Sequence, residues 1–276
     1  MDSKTIINKK YVDGTFGQVH IRETIPENIK QTPVLFFHAS PLSGEIYDEL
    51  LPLIGIDRIA IAPDTPGYGM SDPPETIPTI DDYGKAFSEL LDKLSLHKVD
   101  LVGYATGSFI ASSLASIRPD IVRRLVLFSA PIIDDVERKK LGDKFGEIIP
   151  PKDDGSHLIE LWKQVYEPRG PKQTVEDCMK IFHDHIRAPT HMKPWAPRAA
   201  FLYPLSETLK KITQPTVIYN IANEVHDPTL AAKKYINNGK LVEIPSWGHG
   251  FLQNETKEVD RILRLFFDSK NAETIK

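Results

Sequence analysis

A single cysteine, Cys178, has nothing to pair with inside the 276 residues. No internal disulfide framework is expected, and a reducing compartment fits. Long apolar runs are missing too: nothing approaches the roughly 18–20 consecutive apolar residues of a spanning helix. The opening residues, Met1-Asp2-Ser3-Lys4, lead into mixed polar and apolar sequence without the apolar stretch of a secretory leader. A cytoplasmic protein with no membrane association is the expectation. Basic excess is absent as well, since 34 Lys and Arg against 38 Asp and Glu give a formal net charge of −4. Lys139-Lys140 and Lys233-Lys234 are isolated pairs on solvated faces, so no nucleic-acid partner is expected. No G-x-G-x-x-G or P-loop pattern occurs, which leaves a nucleotide cofactor without support. His183-Asp184-His185, with His191 nearby, comes nearest to a metal set, but two residues apart on a helix its histidines face different ways. Neither a metal nor a cofactor is expected.

What is present is a 41% hydrophobic, 26% charged chain, ordinary for a globular domain and long enough for a full core plus an inserted segment. Tyr11-Val12 and Gln18 to Ile21 flank the turn-rich stretch Asp13 to Gly17 and predict a hairpin. Val34 to Phe37, Ile59 to Ala62, Val99 to Val102 and Leu125 to Phe128 are short apolar runs of the kind that suit parallel strands covered on both faces. Between them, Tyr83, Ala86, Phe87, Leu90, Leu91 and Leu94 recur at helical spacing, with Asp81 or Asp82 as the expected cap, and a second helix is predicted over 108–117. The alternation argues for an α/β fold: a mostly parallel sheet with helices on both faces. Residues 134–205 hold many charges and prolines but no strand pattern; helices are predicted from Leu158 to Tyr166 and from Thr174 to Ile186. Strand signals resume at Thr216 to Tyr219 and Leu241 to Ile244, and an amphipathic helix with Val259, Ile262, Leu263, Phe266 and Phe267 on one side closes the chain. The expected organisation is a core of residues 1–133 and 206–276 interrupted by a helical lid over 134–205.

Ligands of open α/β sheets bind beyond the carboxyl ends of the strands, and three post-strand segments stand out. Gly103-Tyr104-Ala105-Thr106-Gly107 lies between a strand and a helix, His38-Ala39-Ser40-Pro41 follows the first buried strand, and Trp247-Gly248-His249-Gly250-Phe251 follows the last. With Ala62-Pro63-Asp64-Thr65-Pro66-Gly67-Tyr68-Gly69-Met70-Ser71-Asp72, they resemble, in order, motifs of the α/β-hydrolase family. The first resembles its nucleophile elbow G-x-S-x-G, with Ala105 at the nucleophile position. The second resembles the H-G-x-P loop, and by that match the N–H groups of Ser40 and Thr106 would form an oxyanion hole; Ala39 stands where the family has glycine. The third resembles the loop carrying the general base, here His249. The Tyr11–His20 opening and the Pro194–Ala200 stretch resemble a little-characterised bacterial branch in which the elbow centre is not reliably serine.

By the same resemblance, Asn223 stands where the family's orienting acid belongs. Glu224 or Asp227 could substitute after a small loop shift, and Asp134 or Asp135 offer further post-strand carboxylates. His38, Tyr104, Trp195 and Trp247 are the expected substrate-contacting residues. The resemblance implies a hydrolase-type enzyme acting on a small, apolar, ester- or carbonyl-containing molecule, with His249 as base activating water or abstracting a proton. Two alternatives stay open: a catalytically inactive ligand-binding pseudo-hydrolase, and a serine-to-alanine trapping variant of a working esterase.

Overall fold

The computed structural model describes residues 5–144, 148 and 150–269. Eight strands form one sheet: β1 (Asn8–Gly14), β2 (Gly17–Thr24), β3 (Val34–Phe37), β4 (Ala60–Pro63), β5 (Val99–Tyr104), β6 (Val122–Phe128), β7 (Thr216–Ile221) and β8 (Gly239–Ile244). Their order across the sheet is β1-β2-β4-β3-β5-β6-β7-β8. The β1–β2 hairpin and the β2–β4 pair are antiparallel, and every later pairing is parallel.

Pleating sends alternate residues of the central strands to opposite faces. Leu35, Phe37, Leu101, Leu125, Leu127 and Ile218 enter one buried cluster; Val34, Phe36, Val102, Val126, Phe128 and Val217 enter the other. Both faces are therefore covered, which explains why these strands read as unbroken apolar runs. Helices α1 (Leu51–Ile54), α2 (Ile80–Lys93) and α3 (Thr106–Ile117) follow the early strands. Those of α2 and α3 cover the first face with Tyr83, Phe87, Leu90, Ile110 and Leu114. Thr79, not Asp81 or Asp82, caps α2. Its hydroxyl accepts from Asp82 N at 3.2 Å while the Asp82 carboxylate accepts from Thr79 N at 2.9 Å, the reciprocal box that makes an N-terminus well defined.

Between β6 and β7 run α4 (Asp135–Lys144), α5 (Ser156–Tyr166), α6 (Val175–Arg187), α7 (Trp195–Leu202) and α8 (Leu205–Leu209). Helices α7 and α8 join the α2–α3 cluster through Ala196, Ala199, Ala200, Leu205 and Leu209. By contrast α5 packs on α6, with the Trp162 and Phe182 rings 5.6 Å apart. Helices α9 (His226–Leu230), α10 (Phe251–Asn254) and α11 (Thr256–Phe267) complete the chain, and α11 buries Val259, Ile262, Leu263, Phe266 and Phe267 against the second face. Among the described residues no helix is long and apolar enough to cross a membrane.

Candidate active site

At the end of β5 the chain turns directly into α3, which starts at Thr106 rather than at 108. The turning residue, Ala105, has φ 48° and ψ −114°, outside the regions open to an L-residue without strain. Two glycines make the turn possible. A Cβ on Gly103 would lie 2.5 Å from the Gly107 carbonyl oxygen, and one on Gly107 would lie 2.0 Å from the Phe37 carbonyl oxygen. The Phe128 carbonyl accepts from Ala105 N at 2.9 Å, pinning the turn to the end of β6. As the first helical residue, Thr106 has an N–H with no intrahelical acceptor.

The loops after β7 and β8 are joined by Ala222 N donating to the Trp247 carbonyl at 2.7 Å. Across that junction His249 Nε2 meets Glu224 Oε2 at 2.9 Å. The bond to His249, aided by its charge, holds the Glu224 carboxyl below the usual range although partial burial opposes it. Asn223 is committed elsewhere: its Nδ2 donates to Ser129 Oγ at 2.8 Å and its Oδ1 accepts from Val225 N at 3.2 Å. The other carboxylates are engaged away from His249. Asp134 accepts from Val136 N and Glu137 N at the start of α4, Asp135 pairs with Arg138, and Asp227 pairs with His226.

A family model described as the alpha/beta hydrolase fold matches residues 32–166. A haloalkane dehalogenase of Bradyrhizobium diazoefficiens is 34% identical over 92 residues, 33% of this chain and only 30% of that protein. An uncharacterised hydrolase of Saccharomyces cerevisiae is 24% identical over 86% of this chain and 81% of its own length. The structure of an epoxide hydrolase from Vigna radiata superposes with a TM-score of 0.76 at 19% identity, over 95% of this chain and 98% of that one. The chain has the α/β-hydrolase fold.

The remaining expected site residues fall into two groups. Ser40 is half-buried in the loop after β3, and Trp195 is half-buried at the start of α7, its ring edge-on to His191 at 6.0 Å. His38, Tyr104 and Trp247 differ from expectation. His38 is completely buried; Thr65 N donates to its Nε2 at 2.8 Å, so Nδ1 carries the proton and donates to the Ala39 carbonyl at 3.0 Å. Burial lowers its pKa, against the opposing charge of Asp64. It braces two loops and has no open face for a substrate. Tyr104 shares the pleat face of Val102, and its ring meets Phe251 edge-on at 5.3 Å. Trp247 stacks on Phe251 at 5.4 Å. Both are core residues beneath the site, with the Tyr104 phenol pushed up by burial and by the nearby Glu224 charge.

Sequence reasoning missed the residues that brace the site. Asp64, wholly buried, accepts from Gly44 N at 2.7 Å and Met70 N at 2.9 Å and meets His20 Nδ1 at 2.9 Å and Arg22 Nη1 at 3.3 Å. Burial alone would raise its pKa; the His20 bond and the nearby cationic groups outweigh that and hold it low. Tyr68 Oη accepts from Ala196 N at 2.9 Å and lies 3.1 Å from the carbonyls of Met192 and Lys193. Ser43 Oγ donates to Asp184 at 2.8 Å. The loop motif containing Asp64 and Tyr68 is visible in the sequence, whereas the partners of Tyr68 and Ser43 lie over 100 residues away with no local signal.

Proposed function

We propose that this chain is a hydrolase-type enzyme for a small ester- or carbonyl-containing substrate, with His249 as general base and residues 134–205 as the lid. The observation that carries the reading is the 2.9 Å bond between His249 Nε2 and Glu224, whose charge reaches Tyr104 next to Ala105. Because a carboxylate only accepts, Nε2 carries the proton and Nδ1 is the free basic atom. Glu224 also stabilises the imidazolium that forms when Nδ1 takes a proton. This is the reverse of the serine-protease arrangement, where Nδ1 faces the acid and Nε2 the nucleophile. Ala105 offers no attacking atom, so the proton comes from water or from a substrate carbon next to a carbonyl. The N–H groups of Thr106 and Ser40 would cradle the oxygen on which negative charge develops.

A second reading, a ligand-binding pseudo-hydrolase, is favoured by Ala105 together with the capture of Asn223 by Ser129. One set of assays separates the two. The parent, Ala105→Ser, His249→Ala and Glu224→Gln are compared on short-chain p-nitrophenyl esters and on carbonyl substrates with acidic α-protons. Parent turnover lost in His249→Ala, with folding intact, supports the enzyme. Turnover unchanged in His249→Ala, or none in the parent on either class, overturns it. Activity only in Ala105→Ser identifies a working cradle and base in a chain lacking its nucleophile.

A further inference from the structure

The turn between α5 and α6 lies against the histidine loop more closely than any side chain would allow. A Cβ on Gly170 would lie 2.2 Å from the His249 carbonyl oxygen, so the two main chains are in direct contact. On the next residue the roles reverse. Gly250, at φ +80°, has no side chain, and a Cβ there would lie 2.1 Å from Gln173 Cγ. Gln173 is 7% exposed and fills that space. The turn is closed on itself: Gly170 N donates to Gln173 Oε1 at 2.9 Å and Gln173 N donates to the Gly170 carbonyl at 3.0 Å. Lys172 pairs with Glu255 just beyond the loop. Interlocked backbones of this kind have no slack, because packed contacts of protein interiors resist displacement by even a methyl group.

We propose that the Gly170–Gln173 turn is a positioning element for His249. It fixes the main chain from which the imidazole reaches Glu224, so the base is correctly placed only while the lid is docked. The far side of the lid is held by Asp184 on Ser43 and by Tyr68 on Ala196, next to the loop that carries Ser40. One rigid segment thus registers the base loop against the proposed cradle, the arrangement expected where closure completes a catalytic site. The inference rests on the reading of His249 as the base, but it can be tested without turnover.

The measurement is the side-chain ¹⁵N spectrum of the full chain across pH, for the parent, Gly170→Ala and Gln173→Ala. In the parent, His249 should show Nε2 protonated and bonded. In Gly170→Ala the added methyl displaces the loop, and the Nε2-bonded signature of His249 disappears while the His20 signal, remote beside Asp64, stays fixed. Gln173→Ala empties the space beside Gly250 and produces the same change with a smaller amplitude; it carries the test if Gly170→Ala does not fold. Where the parent is active, kcat falls at least tenfold in either variant, with KM changing less. An unaltered His249 signature in folded Gln173→Ala overturns the inference, even if His249→Ala kills turnover. A shifted signature in an inactive parent leaves positioning intact and sinks only the enzymatic reading.

Discussion

Replacing Ala105 by glycine should stabilise the protein. Ordinarily an alanine-to-glycine change destabilises, because glycine gives the unfolded chain about 0.4–1 kcal/mol of extra freedom. Removing a half-buried methyl costs roughly a further 0.4 kcal/mol, half the worth of a buried CH₂. Against this stands the backbone at Ala105, φ 48° and ψ −114°, where a residue with a Cβ is strained by about 1–3 kcal/mol. Glycine removes that strain, since the conformation is open to it. The balance is a gain of roughly 1 kcal/mol, and at about 2–4 °C per kcal/mol for a chain of this size the melting temperature should rise by a few degrees. Calorimetry of Ala105→Gly beside Ala111→Gly is the assay. Ala111 sits inside α3, where glycine costs about 1 kcal/mol in helix propensity. A fall in Tm for Ala105→Gly equal to that of Ala111→Gly would refute the reasoning: the turn would then be relaxed. A rise would mean that the chain keeps a strained turn whose central side chain cannot react, leaving the Thr106 N–H as the group the strain aims.

Glu224→Gln should lower kcat/KM by 10²-fold or more in any His249-dependent reaction, since a neutral amide cannot stabilise the imidazolium; the Tm should barely move, because the Glu224 side chain is 71% exposed. Urea unfolding of Asp64→Asn should show a loss of about 1–3 kcal/mol, as the buried hydrogen bonds from Gly44 N, Met70 N and His20 lose their charged acceptor, while Arg22 keeps Glu45 and Asp48. Because the folded pKa of Asp64 is depressed, its contribution is present above the ordinary carboxylate range and lost as pH falls below it; a parent whose acid midpoint equals that of the variant would contradict this. Asp184 behaves oppositely. Burial pushes its pKa up to about 6, so the folded state binds its proton first and stability from this group rises as pH falls through that value. Asp184→Asn should flatten the stability profile between pH 7 and 5. Gly107→Ala, with its Cβ 2.0 Å from a backbone oxygen, should yield no soluble folded protein or one destabilised by more than about 3 kcal/mol, read by circular dichroism on the purified chain.

The central sheet was legible because its residues obey one rule: strands covered on both faces need apolar side chains at every position. Strands at the margin obey a different one. β1 is largely exposed and β8 mostly half-buried along its length, and their polar residues hide how far they extend. The cap of α2 was misplaced by two or three residues because the sequence offers Thr79, Asp81 and Asp82 together. Backbone geometry decides among them: Thr79, at φ −84° and ψ 169°, is the extended residue before the helix. At the site, the elbow and its two glycines could be read, since the glycines answer to local crowding. Tyr104 and Trp247 were misplaced as substrate contacts although pleat parity already set Tyr104 on the face of Val102. The partner of His249 could not be read, because Asn223 and Glu224 are neighbours on a loop and only the capture of Asn223 by Ser129 leaves Glu224 to the histidine.

The excursion between β6 and β7 bears on how the chain reaches its native state. From the end of β5 at Tyr104 to the start of β6 at Val122 the connection is short, whereas Phe128 and Thr216 are separated by the whole helical segment. Closing the longer loop costs about 1.4 kcal/mol more entropy than closing the shorter one, so pairing of β7 onto β6 is a late event. Glu224 and His249 both lie beyond that loop, just after β7 and β8. The six strands before that loop can collapse around the turn at Ala105 first, and the contact between Glu224 and His249 then forms as β7 and β8 dock. A partly refolded molecule therefore carries the turn at Ala105 before it carries the contact between His249 and Glu224.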